Sequence, residues 1–268
     1  MLRLSALYRF PLKSAKGESL SRAGLDKLGL VGDRRWMLVD EASGRFLTQR
    51  ADPQMSQLSA LWNATDGLTL SAQGFDPLDV KVPDAESNLR GVTIWRDTLR
   101  VPDAGDAAAH WLSRFVDKPV RLVHVPLERA RTTEAGYGRD DDKVAFADGY
   151  PLLLIGQASL DDLSGKVGRE LDMLRFRPNL VIEGSEAFAE DGWKRIRIGD
   201  TELRVVKSCS RCILTTVDPH TGVRDEQREP LATLMTYRKQ AEGTMFGQNL
   251  VNEGEGVLEV GMPVTILE

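Results

Sequence analysis

"SCSRCILTTVDPHTG", residues 208–222, holds both cysteines of a 268-residue chain, with Arg211 between them. What Cys209 and Cys212 do decides whether the chain is stapled, metal-bound or simply packed. One Cys-x-x-Cys pair supplies two of the four ligands of a structural zinc site. His220 offers a third, but there is no second pair, so zinc fits poorly. A thioredoxin-like dithiol sits where a strand feeds a helix, whereas "ILTTV" is β-branched and predicts a strand. Two readings stay open. One is a single thiolate favoured by the charges of Arg211 and Lys207, suited to a redox metal whose other ligands come from a cofactor. The other is a pair of inert, buried cysteines. Residues three apart on an extended chain face opposite sides, so one cysteine can face a site while the other packs.

Outward from this stretch the pattern is mostly β. "WKRIRIGDTELRVVKSC" (193–209) predicts two strands joined by a turn at "GDTEL", and "CILTTVDPHTG" continues as strand. "RPNLVIEG" (177–184), "MFGQNLV" (245–251) and "GVLEVGMPVTIL" (256–267) add further strands. "EPLATLMTYRKQ" (229–240) predicts a helix with Pro230 in its first turn. In "YPLLLIGQASLDDLSGKVG" (150–168), Ser159 followed by Asp162 resembles an N-cap pair opening a short helix. Residues 127–147 are polar and predict a long exposed loop and a natural boundary, with Asp140–Asp142 as a solvated acidic turn rather than a metal site.

The N-terminal half reads as short strands cut by Gly, Pro and Asp. These are "LRLSALYR" (2–9), a hairpin of "RRWMLVD" and "GRFLTQR" around "EAS", then "GLTLSA", "PLDVKV" and "VTIWRDTLRVPD". Their spacing suggests a barrel or curled sheet. "GDAAAHWLSRFVD" (105–117) predicts a helix whose Ala108, Trp111, Leu112 and Phe115 share a face. His110 on that helix and His124 on the strand "VRLVHVP" are expected to be structural or solvent-facing.

Composition sets the remaining bounds. The net charge of −5 provides no basic footprint for nucleic acid. No apolar run approaches the roughly 18 residues of a membrane span, and "MLRLSALYRF" lacks the shape of a signal peptide. The expectation is a cytoplasmic protein with free thiols and no membrane partner. Against the acidic background stand three basic clusters: "RFRPN" with Arg175 and Arg177, "FPLKSAKG" with Lys13, Ser14 and Lys16, and "GDRRW" with Arg34 and Arg35. Arginines two apart on a strand share a face, and two guanidiniums are suited to clamp a phosphate or a polar heterocycle.

Together, "RFRPN", "CSRCILTTVDPHTG", "EPLATLMTYR" and "FGQNLV" resemble the MOSC domain family. "YRFPLKSAKG", "GLVGDRRWMLVD" and "FLTQRADPQM" resemble the β-barrel domain that precedes MOSC in the branch containing the mitochondrial amidoxime-reducing component and its bacterial relatives. The resemblance implies a β-rich α+β fold with few helices. Its N-terminal β-barrel-like domain (1–120) would interlock with a MOSC β-barrel domain (121–268). It implies a molybdenum–molybdopterin cofactor with Cys212 on the metal and two further sulfurs from the pterin. Lys13, Ser14, Arg34, Arg177, Asn179, Ser210 and Arg211 would contact the pterin or its phosphate. Asp148 falls where the family has an acidic residue near the metal, to position substrate, relay a proton, or simply form buried hydrogen bonds. The implied activity is reduction of N-hydroxylated compounds: amidoximes, hydroxylamines and N-hydroxylated bases. Electrons would come from a separate ferredoxin or cytochrome-type protein, because the chain has no cysteine after Cys212 for a ferredoxin cluster. The membrane anchor of the mitochondrial members has no room before Tyr8. Two alternatives are a sulfur carrier with a Cys212 persulfide and a non-catalytic molybdopterin-binding protein.

Overall fold

β-branched runs separated by turn residues fold as strands along most of the chain. The computed structural model describes residues 1–63, 67–134 and 136–268. Among these residues it has three α-helices: α1 (Asp106–Val116), α2 (Gln157–Val167) and α3 (Leu231–Tyr237). None is long and apolar enough to cross a membrane. The largest sheet runs in the order Glu18–Leu20, Arg3–Arg9, Leu180–Glu183, Leu152–Gly156, Gly243–Asn252, Thr201–Arg211, Arg195–Ile198, Val264–Ile266. Leu152–Gly156 is "LLLIG", buried at every position, as a strand covered on both faces must be. It runs parallel to Leu180–Glu183, with α2 in the crossover. The two ends of the sheet curl together, Leu4 N donating to Met262 O and Val264 N to Leu2 O, both at 3.0 Å.

The interlock is visible in the pairings. Arg3–Arg9 joins the sheet of the C-terminal half beside Leu180–Glu183. Gly256–Glu259 pairs with Arg22–Asp26, and Val120–His124 pairs with Trp36–Asp40. The N-terminal half has its own core, in which α1 buries Ala108, Trp111, Leu112 and Val116 with Leu68 and Leu70, while Phe115 lies at the margin. The "EAS" hairpin forms with backbone bonds from Asp40 N to Arg45 O (2.8 Å) and Leu47 N to Leu38 O (2.9 Å).

Several local expectations give way to tertiary contacts. "CILTT" is not a strand: Ile213–Thr216 is a 3₁₀ turn. The Thr215 and Thr216 hydroxyls donate to the Cys212 and Ile213 carbonyls at 3.0 and 2.7 Å, satisfying the turn locally. "RFRPN" is not a strand either, since Met173–Arg175 is 3₁₀ and Arg177 is left-handed at φ 55°. Ser159 does not cap α2, which begins at Gln157. Its hydroxyl lies two residues inside the helix, donating to the buried Glu190 carboxylate at 2.8 Å and accepting from Phe188 N at 2.7 Å. The 127–147 segment, of which residue 135 lies outside the described residues, is more than an exposed loop. Arg131 and Val144–Phe146 are buried, and Asp142 is gripped by Arg204 through two bonds of 2.8 Å. Only Asp140 and Asp141 are the exposed acidic turn.

Candidate active site

A cavity of about 300 Å³ opens where the two halves meet. All nine residues expected at a site line it: Lys13, Ser14, Arg34, Asp148, Arg177, Asn179, Ser210, Arg211 and Cys212. Its wall also carries Arg50 and Arg175, giving six basic side chains against the single carboxylate of Asp148. In a protein of net charge −5, this is a local field built for an anion.

The backbone supports that cluster at some cost. Ser14, Arg34 and Arg177 have φ of 64°, 46° and 55°, a region that non-glycine residues seldom occupy. Such strain persists only where surrounding bonds over-determine it. Arg34 shows how. Its N donates to Phe10 O (2.8 Å), and its guanidinium donates to Asp33 Oδ2 (2.6 Å), Asn179 Oδ1 (3.0 Å) and Arg177 O (2.9 Å). Asn179, fully buried, also accepts from Leu153 N and donates to Tyr8 O, so it braces Arg34.

Arg177 and Arg211 each have one buried terminal nitrogen without a partner. Arg177 Nη1 donates to Ala15 O at 2.6 Å and its guanidinium lies 4.1 Å from the Phe10 ring centre, but its buried Nη2 has no partner. Arg211 donates through Nε to Phe246 O (2.7 Å) and Nη1 to Phe176 O (3.0 Å), and its buried Nη2 is also unpaired. The Tyr150 hydroxyl, on the same wall, is a third orphan. Buried donors left unmet are costly, so an acceptor bound beside them would be stabilised. Arg175, paired with Asp218 at 2.6 Å, is already neutralised.

Lys13 donates to Phe146 O at 2.8 Å and Asp148 Oδ1 at 2.5 Å. Burial pushes its ammonium down to about 8, although Asp148 pulls the other way. The Asp148 carboxylate is exposed within the open cavity. Desolvation would raise its pKa; Lys13, then Arg50 and Arg34, overcome this and hold it well below the usual carboxylate range. Asp148 is therefore an ionised acceptor at neutral pH and a poor proton donor. For Arg177, burial and then the Arg34 charge act against the cationic form, a push that an anion beside it would reverse.

The cysteines depart from simple alternation. Both are half-buried and both line the cavity. Register shifts between Val205/Lys207 and between Ser208/Ser210 in Thr201–Arg211 reset which side each residue faces. Burial pushes the Cys209 thiol up. The cation on Cys212 is Arg50, whose Nε donates to Sγ at 3.1 Å and whose Nη2 lies 3.6 Å from Asp148 Oδ2. Neither basic residue expected beside the thiolate takes that place: Arg211 is bound to carbonyls, and Lys207 pairs with Glu134 and Glu242. Sequence reasoning did not single out Arg50, which lies within the quoted "FLTQRADPQM" and meets Cys212 only through the fold.

The histidines stay outside. His110 is exposed, His220 pairs with Asp172, and His124 packs against Trp36, pushed down to about 4 by burial and then by Arg35. Among the described residues no group of three or more His, Cys, Asp or Glu could hold a metal ion. A metal on Cys212 would take its other ligands from a cofactor.

Residues 1–119 match the family described as MOSC N-terminal beta barrel domain, and residues 141–265 the family described as MOSC domain. The chain is 38% identical to "Mitochondrial amidoxime-reducing component 1" of Mus musculus and 36% to that of Homo sapiens, each over 98% of this chain and 82% of the relative. It is 35% identical to "Mitochondrial amidoxime reducing component 2" of Rattus norvegicus, over 97% of this chain and 82% of the relative.

Proposed function

The chain belongs to the MOSC family that includes the mitochondrial amidoxime-reducing components, and from that premise we propose that it reduces N-hydroxylated compounds with a molybdenum–molybdopterin cofactor held in the cavity. The overall reaction consumes two electrons and two protons and converts N–OH to N–H and water. The observation that carries the reading is convergence: a free thiol, Cys212, shares one cavity with two buried guanidiniums whose Nη2 groups lack partners.

The residues present fit such a cofactor. Its phosphate is an anion, and Arg177 and Arg211 hold unused, charge-assisted donors ready for one. Arg34, braced by Asp33 and Asn179, sets the position of Arg177 through the Arg177 carbonyl. Cys212 is the thiolate ligand available to a soft metal, with Arg50 fixing its Sγ from one side. When bound, the metal would supply the two-electron redox chemistry that no side chain here provides.

The protein's own part is placement and charge. Asp148 is kept ionised by Lys13 and Arg50, so it accepts a hydrogen bond from a substrate hydroxyl or amine and orients it. Because its proton affinity is low, the protons consumed arrive from solvent or from another donor. The electrons come from a separate iron–sulfur or cytochrome-type protein. The test is metal and pterin analysis of protein purified from a host that makes the cofactor, with reduction of benzamidoxime by reduced viologen. Stoichiometric molybdenum with turnover supports the reading. Molybdenum without turnover would point to a binding protein, and a Cys212 persulfide without molybdenum to a sulfur carrier.

A further inference from the structure

Trp95 is an aromatic residue where turn chemistry does not want one. It occupies the first position of the two-residue turn joining Leu89–Ile94 to Asp97–Pro102 and has φ 55°. Tight hairpins place Asn, Asp or Gly at such positions, because a β-carbon there is strained. The side chain is also not buried in compensation: it is 40% exposed. Strain without burial calls for another reason to keep the ring.

Its neighbours supply one. The Arg50 guanidinium lies 4.7 Å from the Trp95 ring centre, and this is the same Arg50 that touches Cys212 and Asp148. Lys13 Nζ lies 5.8 Å from the Trp95 ring and 5.4 Å from the Phe46 ring. Phe46 meets Trp95 edge-on at 4.9 Å. The hairpin is held against the cavity wall by buried Arg131, which donates to Asp97 Oδ2 at 2.9 Å and to the carbonyls of Ala145 and Ala147, just before Asp148. The indole thus lies just outside the cavity lining, packed on Arg50 and Lys13, which do line it, and one side-chain layer from Cys212.

We propose that Trp95, backed by Phe46 and Arg50, is a specificity-determining shelf on which the ring of a planar aromatic or heteroaromatic N-hydroxylated substrate stacks, giving such substrates preference over aliphatic ones. This rests on the reading above and names the substrate class of that site. A substrate ring stacked on the exposed indole, with its N–OH end directed toward Asp148, would use an aromatic surface beside the basic side chains of the opening.

The test compares wild type, Trp95→Asn and Trp95→Phe, at equal molybdenum content. Benzamidoxime and acetamidoxime are the substrates, and reduced viologen the donor, so that protein docking is not involved. Trp95→Asn should lower the ratio of kcat/KM for benzamidoxime over acetamidoxime about tenfold, equivalent to about 1.4 kcal/mol. Its Tm should be no lower than wild type, because Asn accepts the left-handed turn. Trp95→Phe should keep most of the discrimination. A purely structural tryptophan would show the reverse: lower Tm and an unchanged ratio. Calorimetric binding of benzamidine and acetamidine gives a second readout. If the wild type reduces neither amidoxime, the enzyme reading fails by itself, and the shelf is judged by binding. Equal benzamidine affinity in wild type and Trp95→Asn overturns it.

Discussion

Removing the Arg177 side chain tests the anion clamp with little disturbance of the fold. The residue is left-handed, but Arg177→Ala keeps a β-carbon at the same φ of 55°, so the backbone strain is common to both proteins. The substitution removes the Nη1 bond to Ala15 O and the contact with Phe10. It also removes a buried cation crowded by Arg34. These oppose each other, and the apoprotein should change by about 1 kcal/mol or less, the scale of one neutral-acceptor hydrogen bond. The cofactor loses more. The unpaired Nη2 is the donor offered to a phosphate, and a charge-assisted bond of that kind is worth about 1.5–3 kcal/mol. Affinity should fall roughly ten- to a hundredfold. The assay is equilibrium retention of pterin and molybdenum on dialysis, with circular dichroism and thermal melting of the same samples. Full retention at wild-type affinity would refute the clamp, and global unfolding would show that Arg177 serves the fold instead.

Other outcomes follow from the same geometry. Asp142→Ala should lower stability by about 1.5–3 kcal/mol, because it removes two charge-assisted bonds from the largely buried Arg204 guanidinium, which keeps only its Nε bond to Glu253; a Tm unchanged on melting would contradict the pairing. Lys13 is charged at pH 7 and loses its proton in the folded protein as pH rises through about 8, whereas in the unfolded chain it keeps it to its ordinary 10.5. Between those values the unfolded state binds more protons, so this group's contribution to stability rises with pH, while the cavity loses one positive charge. Inorganic phosphate binding, followed by calorimetry, should weaken across that window, and Lys13→Arg should flatten the profile; a flat wild-type profile would count against it. The cofactor-loaded protein should turn over benzamidoxime with reduced viologen or with ferredoxin and its reductase, but not with NADH alone. The chain has no G-x-G-x-x-G after a strand to hold a dinucleotide; brisk turnover with NADH alone would defeat this.

The parts of the site carried by composition were legible in the sequence. Lys13, Arg34, Arg177 and Cys212 are chemically conspicuous against an acidic chain, and each lines the cavity. What depended on backbone detail was not. Alternation points the cysteines opposite ways because it assumes an unbroken strand, and the bulges in Thr201–Arg211 break it. "RFRPN" read as strand because a left-handed arginine has no sequence mark. Ser159 read as a cap because its true partner, Glu190, lies 31 positions away. The role of Arg50, inside the quoted "FLTQRADPQM", was unreadable for the same reason, because it meets Cys212 across 162 positions. The strands themselves, short and β-branched, were readable because their signal is local; the order in which the N-terminal strands enter the C-terminal sheet was not.

The most direct test of the central claim is molybdenum content in the two single-cysteine variants, expressed side by side in a host that makes the cofactor. Both thiols line the cavity, but only Cys212 has the guanidinium of Arg50 on its sulfur. The account predicts that Cys212→Ser loses molybdenum and N-hydroxyl reduction, while Cys209→Ser retains the metal. Metal lost from Cys209→Ser and kept by Cys212→Ser would reverse the assignment, and metal kept with full activity by both would show that thiolate ligation by this pair is wrong.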